Sequence, residues 1–160
     1  LSASSIYYNT FKTSAAEFYI AGKEGKITDI GFSKDFYPAY WLFDNTAFTK
    51  EINQLKAFFE GEKTSLDIPY SLEGTDFQKR VWNTISTIPY GETRSYKEVA
   101  IMAGNPSAAR AVGNVCNKNR LLLLVPCHRV VASNGLGGYG GNLEAKEWLL
   151  NIEKQNNRTV

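Results

Sequence analysis

The first third of the chain alternates between short runs of β-branched and aromatic residues and short polar turns. IYYNTF (6–11), EFYIAG (17–22) and KITDIGF (26–32) carry the side chains that pack on a pleated surface. KTSAA separates the first two runs and KEG the last two, the shorter link favouring a hairpin. FYPAYW (36–41) reads as an aromatic connector broken by Pro38. Over FTKEINQLKAFFEGE (48–62) the period changes. Phe48, Ile52, Leu55, Phe58 and Phe59 fall on one helical stripe that stops near Gly61. Residues 63 to 75 are a polar linker with a proline and a glycine.

Beyond the linker the pattern is helical. Thr75 or Asp76 can cap DFQKRVWNTISTI (76–88), whose Phe77, Val81, Trp82, Ile85 and Ile88 share a face. PYGE (89–92) is a turn, Ser95 caps SYKEVAIMAG (95–104), and Gly104 ends it. NPSAARAVGNVCNKN (105–119) predicts another helix, with Asn105 as cap and Pro106 at its first position. LLLLVPCHRVV then leads to a glycine-rich loop, NGLGGYGGN (134–142), and a last amphipathic helix, LEAKEWLLNIEKQNN (143–157). A helix, a short AGNP turn and a second helix have the lengths of a helix-turn-helix. In that second helix Ala108, Ala109, Ala111, Val112 and Gly113 leave little bulk. So slim a surface suits close packing or entry into a narrow groove, and Arg110 in its middle favours the groove.

At 160 residues the chain suffices for one domain or two small lobes, and its apolar and charged fractions are those of a globular protein. The longest apolar run, Leu121 to Val125, ends at Pro126, far below the ~20 residues of a membrane-spanning helix. The start, LSASSIYYNT, lacks a basic region and an apolar stretch, and reads as a processed end or a fusion scar rather than a signal peptide. Two cysteines are too few for a disulfide framework, which points to a reducing compartment. Charge changes at the linker. Residues 1 to 75 hold seven Lys/Arg against ten Asp/Glu, a net of −3; residues 76 to 160 hold eleven against six, a net of +5. A basic second half is suited to a polyanion.

The candidate chemistry lies in VPCHRVV (125–131), where the one histidine follows one of the two cysteines. A thiolate is a nucleophile, while a free thiol titrates near ~8.5 and needs a cation, a base or a helix N-terminus to ionise at neutral pH. In an extended segment Cys127 and His128 point to opposite sides, so direct contact requires Pro126 to start a turn, and a relay through one water suits the spacing better. His128 would then need an orienting carboxylate, for which the last helix offers Glu144, Glu147 and Glu153. Cys116, Cys127 and His128 lack the number and spacing of a closed zinc site, so no metal is expected.

PCHRVV (126–131), RAVGNVCNKN (110–119), PYGETRSYKEVA (89–100) and YGGNLEAKEWLL (139–150) stand in the order and spacing of the O6-alkylguanine-DNA alkyltransferases, which residues 75 to 155 resemble closely. The resemblance implies an α+β fold: a small N-terminal lobe (1–74) with an antiparallel sheet and a helix, then a helical C-terminal lobe (75–160) with a helix-turn-helix. It implies double-stranded DNA containing O6-alkylguanine as partner, with O4-alkylthymine as a further candidate lesion. The damaged nucleotide would be rotated out through the minor groove, at a cost of a few kcal/mol.

By resemblance, Cys127 takes the alkyl group in an in-line displacement that leaves a thioether. His128 would draw off the thiol proton through a water, with Glu153 selected as its orienting carboxylate, and Tyr96 would donate to the guanine ring. Arg110 would fill the space of the flipped base from a recognition helix made slim by Ala109 and Gly113. Cys127, Val130 and the Tyr139–Gly140 loop would frame the base, and Asn119 would tie the helix-turn-helix to the nucleophile's segment. No cofactor is implied, since the protein is its own acceptor, and a cytoplasmic (in a eukaryote, nuclear) monomer is expected.

Three positions depart from the family pattern. Arg120 stands where proline usually follows the hinge asparagine, and reads as a phosphate contact. Gly140 replaces a frequent serine, and the glycine-rich loop is a residue short beside some relatives. Cys116 reads as a packing residue. Two other readings remain: a binding module that marks alkylated DNA without reacting, against which Cys127 argues, and a Cys-His-Glu hydrolase using N–H groups near Gly137 and Gly138 as an oxyanion hole.

Overall fold

The computed structural model describes residues 4–140 and 142–158. It divides into two compact units. One runs to Leu72 and takes in Arg120–Leu124; the other holds Glu73–Asn119 and the chain from Val125 onward. The division thus falls two residues before the expected boundary at 74, and a short return segment from the second half belongs to the first unit.

In the first unit, β1 (Tyr7–Lys12), β2 (Glu17–Lys23) and β3 (Lys26–Phe32) pair antiparallel. The hairpin between β2 and β3 turns on Glu24 and Gly25, at φ 53° and 76°. Positive φ at both central residues gives the turn a twist that matches its flanking strands. The sheet is not purely antiparallel as expected. β4 (Leu42–Phe43) adds to the free edge of β1 in parallel, giving the order β3-β2-β1-β4. The aromatic connector brings it there: Tyr37 packs against Tyr8 and Tyr19 at centroid distances of 4.5 and 5.3 Å, and Trp41 lies beside Tyr8. Two paired residues are too short a run to show a period of two.

Helix α1 (Thr49–Phe59) buries Ile52, Leu55, Phe58 and Phe59, with Phe59 edge-on to Phe18 of β2 at 5.4 Å. Phe48 is not part of it; at φ 61° it precedes the first helical residue. The apolar run at 121–124 lies alongside β3, joined by a parallel bridge between Leu121 and Ile30. Ile30 N donates to Arg120 O and Leu122 N to Ile30 O, which buries Leu121, Leu122 and Leu123. Arg120 does not present its guanidinium as a free phosphate contact. Its Nε and Nη2 donate to the two carboxylate oxygens of buried Asp29 at 2.9 and 3.3 Å, a fork that fixes this segment to β3.

In the second unit, α2 (Asp76–Ser86) starts from Thr75 rather than Asp76. Gln78 N donates to Thr75 Oγ1 and Thr75 N to Gln78 Oε1, a reciprocal capping box. Replacing Thr75 by Ala is expected to cost about 1 kcal/mol, which for a chain of this length lowers Tm by about 2–4 °C in a thermal melt. β5 (Arg94–Ser95) leads into α3 (Tyr96–Met102), whose Ser95–Glu98 box repeats the same device.

Helix α4 (Ala109–Asn117) begins later than Asn105 and Pro106 predict. Ala108 N donates to Asn105 O, so residues 105–108 close a turn of their own, and the helix starts from Ala108 without a side-chain cap. β6 (Val130–Val131) pairs in parallel with β5, and α5 (Leu143–Arg158) ends the described chain. No helix among the described residues is long and apolar enough to cross a membrane.

Candidate active site

Pro126 does start a turn. Arg129 N donates to Pro126 O at 3.0 Å, and Cys127–Arg129 form a single 3-10 turn, not the extended segment that would set adjacent side chains on opposite sides. All three residues are buried, His128 completely. Beneath the turn, α5 presents Lys146, Leu149 and Glu153 at intervals of three and four residues, the spacing of one helical face, and all are buried.

Glu153 gathers donors from two segments, the turn at Cys127–Arg129 and the one at Gly91. His128 Nε2 lies 2.5 Å from its Oε2, Arg129 donates through Nε to Oε1 at 2.8 Å and through Nη2 to Oε2 at 3.2 Å, and Gly91 N reaches Oε1 at 2.9 Å. Gly91 sits at φ 84°, and a Cβ there would run into the Asn157 amide, so the tight turn after Tyr90 requires glycine. The remaining Arg129 nitrogen, Nη1, donates to Ile88 O at 2.8 Å, and the guanidinium lies 5.4 Å from the Tyr90 ring.

Burial alone would push the Glu153 carboxyl up. The hydrogen bonds and charges of His128 and Arg129 overcome it and hold the group down at about 2. Burial lowers His128 below its ordinary value, against the pull of Glu153, and Arg129 and Lys146 lower it further. An ionised Glu153 beside a neutral imidazole puts the ring proton on Nε2 and leaves Nδ1 as the basic atom.

Cys127 is enclosed too, and burial raises its thiol to about 11. Three groups oppose that rise: Asn119 Nδ2, which donates to Sγ at 3.1 Å and to Val125 O at 3.0 Å, the positive charge of Lys146, and the backbone N–H of Cys127 itself. Lys146 is fully buried, and its Nζ donates to Val130 O at 2.7 Å and to Gly138 O at 3.0 Å. It joins the strand after the nucleophile to the glycine-rich loop.

Tyr96, the first residue of α3, stands at that loop, where Gly138 N donates to its hydroxyl at 3.3 Å. Gly137, at φ 74°, leaves room for the ring: a Cβ there would lie 2.5 Å from the Tyr96 hydroxyl. The ring also borders Gly113 of α4, 3.9 Å from where a Cβ would stand. Burial raises the Tyr96 hydroxyl, so it remains a proton donor at neutral pH. Tyr139 is buried edge-on to His128 at 6.3 Å, and Gly140 follows at φ 56°.

The structure therefore sets two bonded pairs on adjacent residues of one turn, Asn119 with Cys127 and Glu153 with His128, with the Tyr139 ring beside His128 and Tyr96 at the adjoining loop. Ala109 and Arg110 stand apart from this set in the first turn of α4, Ala109 half-buried and Arg110 exposed. Cys116 is a buried free thiol on the same helix. Two participants are not legible from motif spacing alone. The first is Lys146, whose one signal is a lysine on the apolar stripe of an amphipathic helix. The second is Arg129, whose charge goes to Glu153 rather than to the neighbouring thiol. Among the described residues no three His, Cys, Asp or Glu side chains cluster as metal ligands.

Residues 76–155 match the family described as "6-O-methylguanine DNA methyltransferase, DNA binding domain", and residues 6–72 match "6-O-methylguanine DNA methyltransferase, ribonuclease-like domain". The methylated-DNA–protein-cysteine methyltransferase of Methanosarcina barkeri is 41% identical over 158 residues, covering 96% of this chain and all of the relative. That of Mycobacterium bovis is 43% identical over 153 residues, 93% of each chain. The OGT protein of Mycobacterium tuberculosis, solved in complex with DNA, superposes with a TM-score of 0.87 at 43% identity over 93% of each chain.

Proposed function

The chain belongs to the 6-O-methylguanine DNA methyltransferase family, and from that membership we propose that it is a DNA repair protein that moves the alkyl group of O6-alkylguanine onto its own Cys127. The observation that carries this assignment is the bonded set around the thiol: Asn119 Nδ2 on Cys127 Sγ, with the next residue, His128, bound to an ionised Glu153.

Sγ attacks the alkyl carbon, a C–S bond forms as the C–O6 bond breaks, and the electron pair of that bond stays with guanine. His128 takes the thiol proton at Nδ1, through one water, and Glu153 supports the charge on the ring. Tyr96 donates a hydrogen bond to the guanine ring, so the base leaves without full negative charge. Over the whole reaction the proton lost by the thiol is gained by guanine. The thioether has no route back, so one molecule is consumed per lesion and no cofactor takes part. O4-alkylthymine is a second substrate on the same chemistry. This activity places the protein with the genome, in the cytoplasm or, in a eukaryote, the nucleus, acting as a monomer.

Val130 and the Tyr139–Gly140 loop frame the flipped base, while Ala109 and Gly113 keep α4 slim enough for a groove. Arg110, exposed at its start, fills the vacated place in the duplex. Arg110→Ala is therefore expected to slow transfer from O6-methylguanine in duplex DNA by about tenfold or more, the size of a lost extrusion step of a few kcal/mol. Reaction with the free alkylated base should be spared. Equal impairment of both reactions would remove Arg110 from this role.

The hydrolase alternative loses its oxyanion hole at Gly138, whose N–H is already given to Tyr96. Intact-protein and peptide mass spectrometry after incubation with a duplex containing O6-methylguanine tests the assignment. One methyl should appear on the peptide holding Cys127, rise to one per protein and stop. Tight binding without mass gain would make this a recognition module.

A further inference from the structure

Arg129 has no part in the transfer itself, yet it is buried, bonded twice to Glu153 and once to Ile88 O. Its planar fork meets both oxygens of Glu153, and its third nitrogen is held by Ile88 O. Among the groups that act on His128 are Glu153 and Lys146 from α5, Arg129 from its own turn, and the Tyr139 ring from the glycine-rich loop. Tyr90 closes over Arg129 from the turn before α3. Among these, Arg129 is the cation bonded to the same carboxylate as the imidazole.

A carboxylate bonded to histidine alone can share the proton and turn the ring into an imidazolium, which is no base. A guanidinium on the same carboxylate opposes that, because a second positive charge beside it is disfavoured. We propose that Arg129 is a positioning residue for alkyl transfer: its charge holds Glu153 ionised and the imidazole neutral with Nδ1 as its basic atom, while its fork turns the carboxylate toward His128 Nε2. The proposal rests on Cys127 being the alkyl acceptor and His128 its base, and adds which group keeps that base usable at neutral pH.

His128 is the one histidine of the chain, so its ring resonances can be followed without ambiguity. In ¹⁵N-labelled protein free of DNA, the wild type should titrate below the ordinary 6.5 and carry its neutral-form proton on Nε2. In Arg129→Gln the midpoint should rise by about one pH unit or more, and the acid limb of single-turnover methyl transfer should rise with it. Arg129→Lys, which keeps the charge and loses the fork, should hold the midpoint low and return the acid limb toward the wild type.

A Gln variant that melts earlier but keeps the wild-type midpoint and acid limb would reduce Arg129 to a structural residue and overturn the proposal. Should the Gln variant not fold, the wild type and Arg129→Lys decide. A wild-type midpoint at or above 6.5, a proton on Nδ1, or a Lys variant whose midpoint rises as if the charge were gone would each overturn it. A wild type that transfers no methyl would strike the assigned function instead, and the DNA-free titration would still judge Arg129.

Discussion

Cys127→Ala will accept no methyl group from an O6-methylguanine duplex, while binding that duplex as the wild type does. The side chain is 4% exposed, so its removal leaves the DNA-facing surface of the protein unchanged. Phosphate contacts, which supply much of the affinity for DNA, are not made by an enclosed thiol. The chemistry, in contrast, has no substitute for sulfur. Burial raises the thiol to about 11, so at neutral pH it holds its proton. On the proposed mechanism the reaction depends on proton removal during attack rather than on a standing thiolate, which is the part proposed for His128. Mass spectrometry for the transfer and a filter or gel assay for binding check the two halves of this prediction. Residual methylation at Cys116 in the variant would show that the pocket, and not the particular thiol, selects the acceptor.

Much of this arrangement is legible in the sequence, and the parts that are not share a cause. The hairpins of the first unit follow from the β-branched and aromatic runs and the KEG link, and the start of α2 from a threonine three residues before a glutamine. These are local signals. What escapes is decided by distant partners. β4 exists because Tyr37 and Trp41 find Tyr8 and Tyr19, which lie far away in the sequence. The start of α4 is the exception, moved to Ala109 by a local turn in which Ala108 N donates to Asn105 O.

Arg120 reads as a phosphate contact, and its fork on Asp29, 91 residues earlier, has no signal in the sequence. The site divides in the same manner. The cysteine, the histidine and the hinge asparagine are legible by motif, and the choice of Glu153 comes from family spacing. The ammonium of Lys146 and the fork of Arg129 need the turn at Pro126 and the face of α5 to be in place before their roles can be seen.

Glu153→Gln tests the network as a whole, and should be the most destabilising single change in the site. The carboxylate accepts from His128, Arg129 and the Gly91 backbone, and Arg129 is buried with it. Glutamine fills the same space, but it leaves the guanidinium without a counter-charge and offers one acceptor oxygen in place of two. Removing one member of a buried ion pair costs about 3–5 kcal/mol, because the remaining charge stays desolvated. At about 2–4 °C per kcal/mol for a chain of this size, Tm should fall by roughly 6–20 °C.

The loss should depend on pH in a direction fixed by the shift. Glu153 is held at about 2 in the fold against an ordinary 4.5, so its contribution is fully present above about 4.5 and fades as pH falls toward 2. Melts from neutral pH downward should therefore show the wild-type advantage constant at first, then shrinking across that window. A difference that stayed the same at pH 2 as at pH 7 would mean that the carboxylate's shape, and not its charge, holds the turn in place.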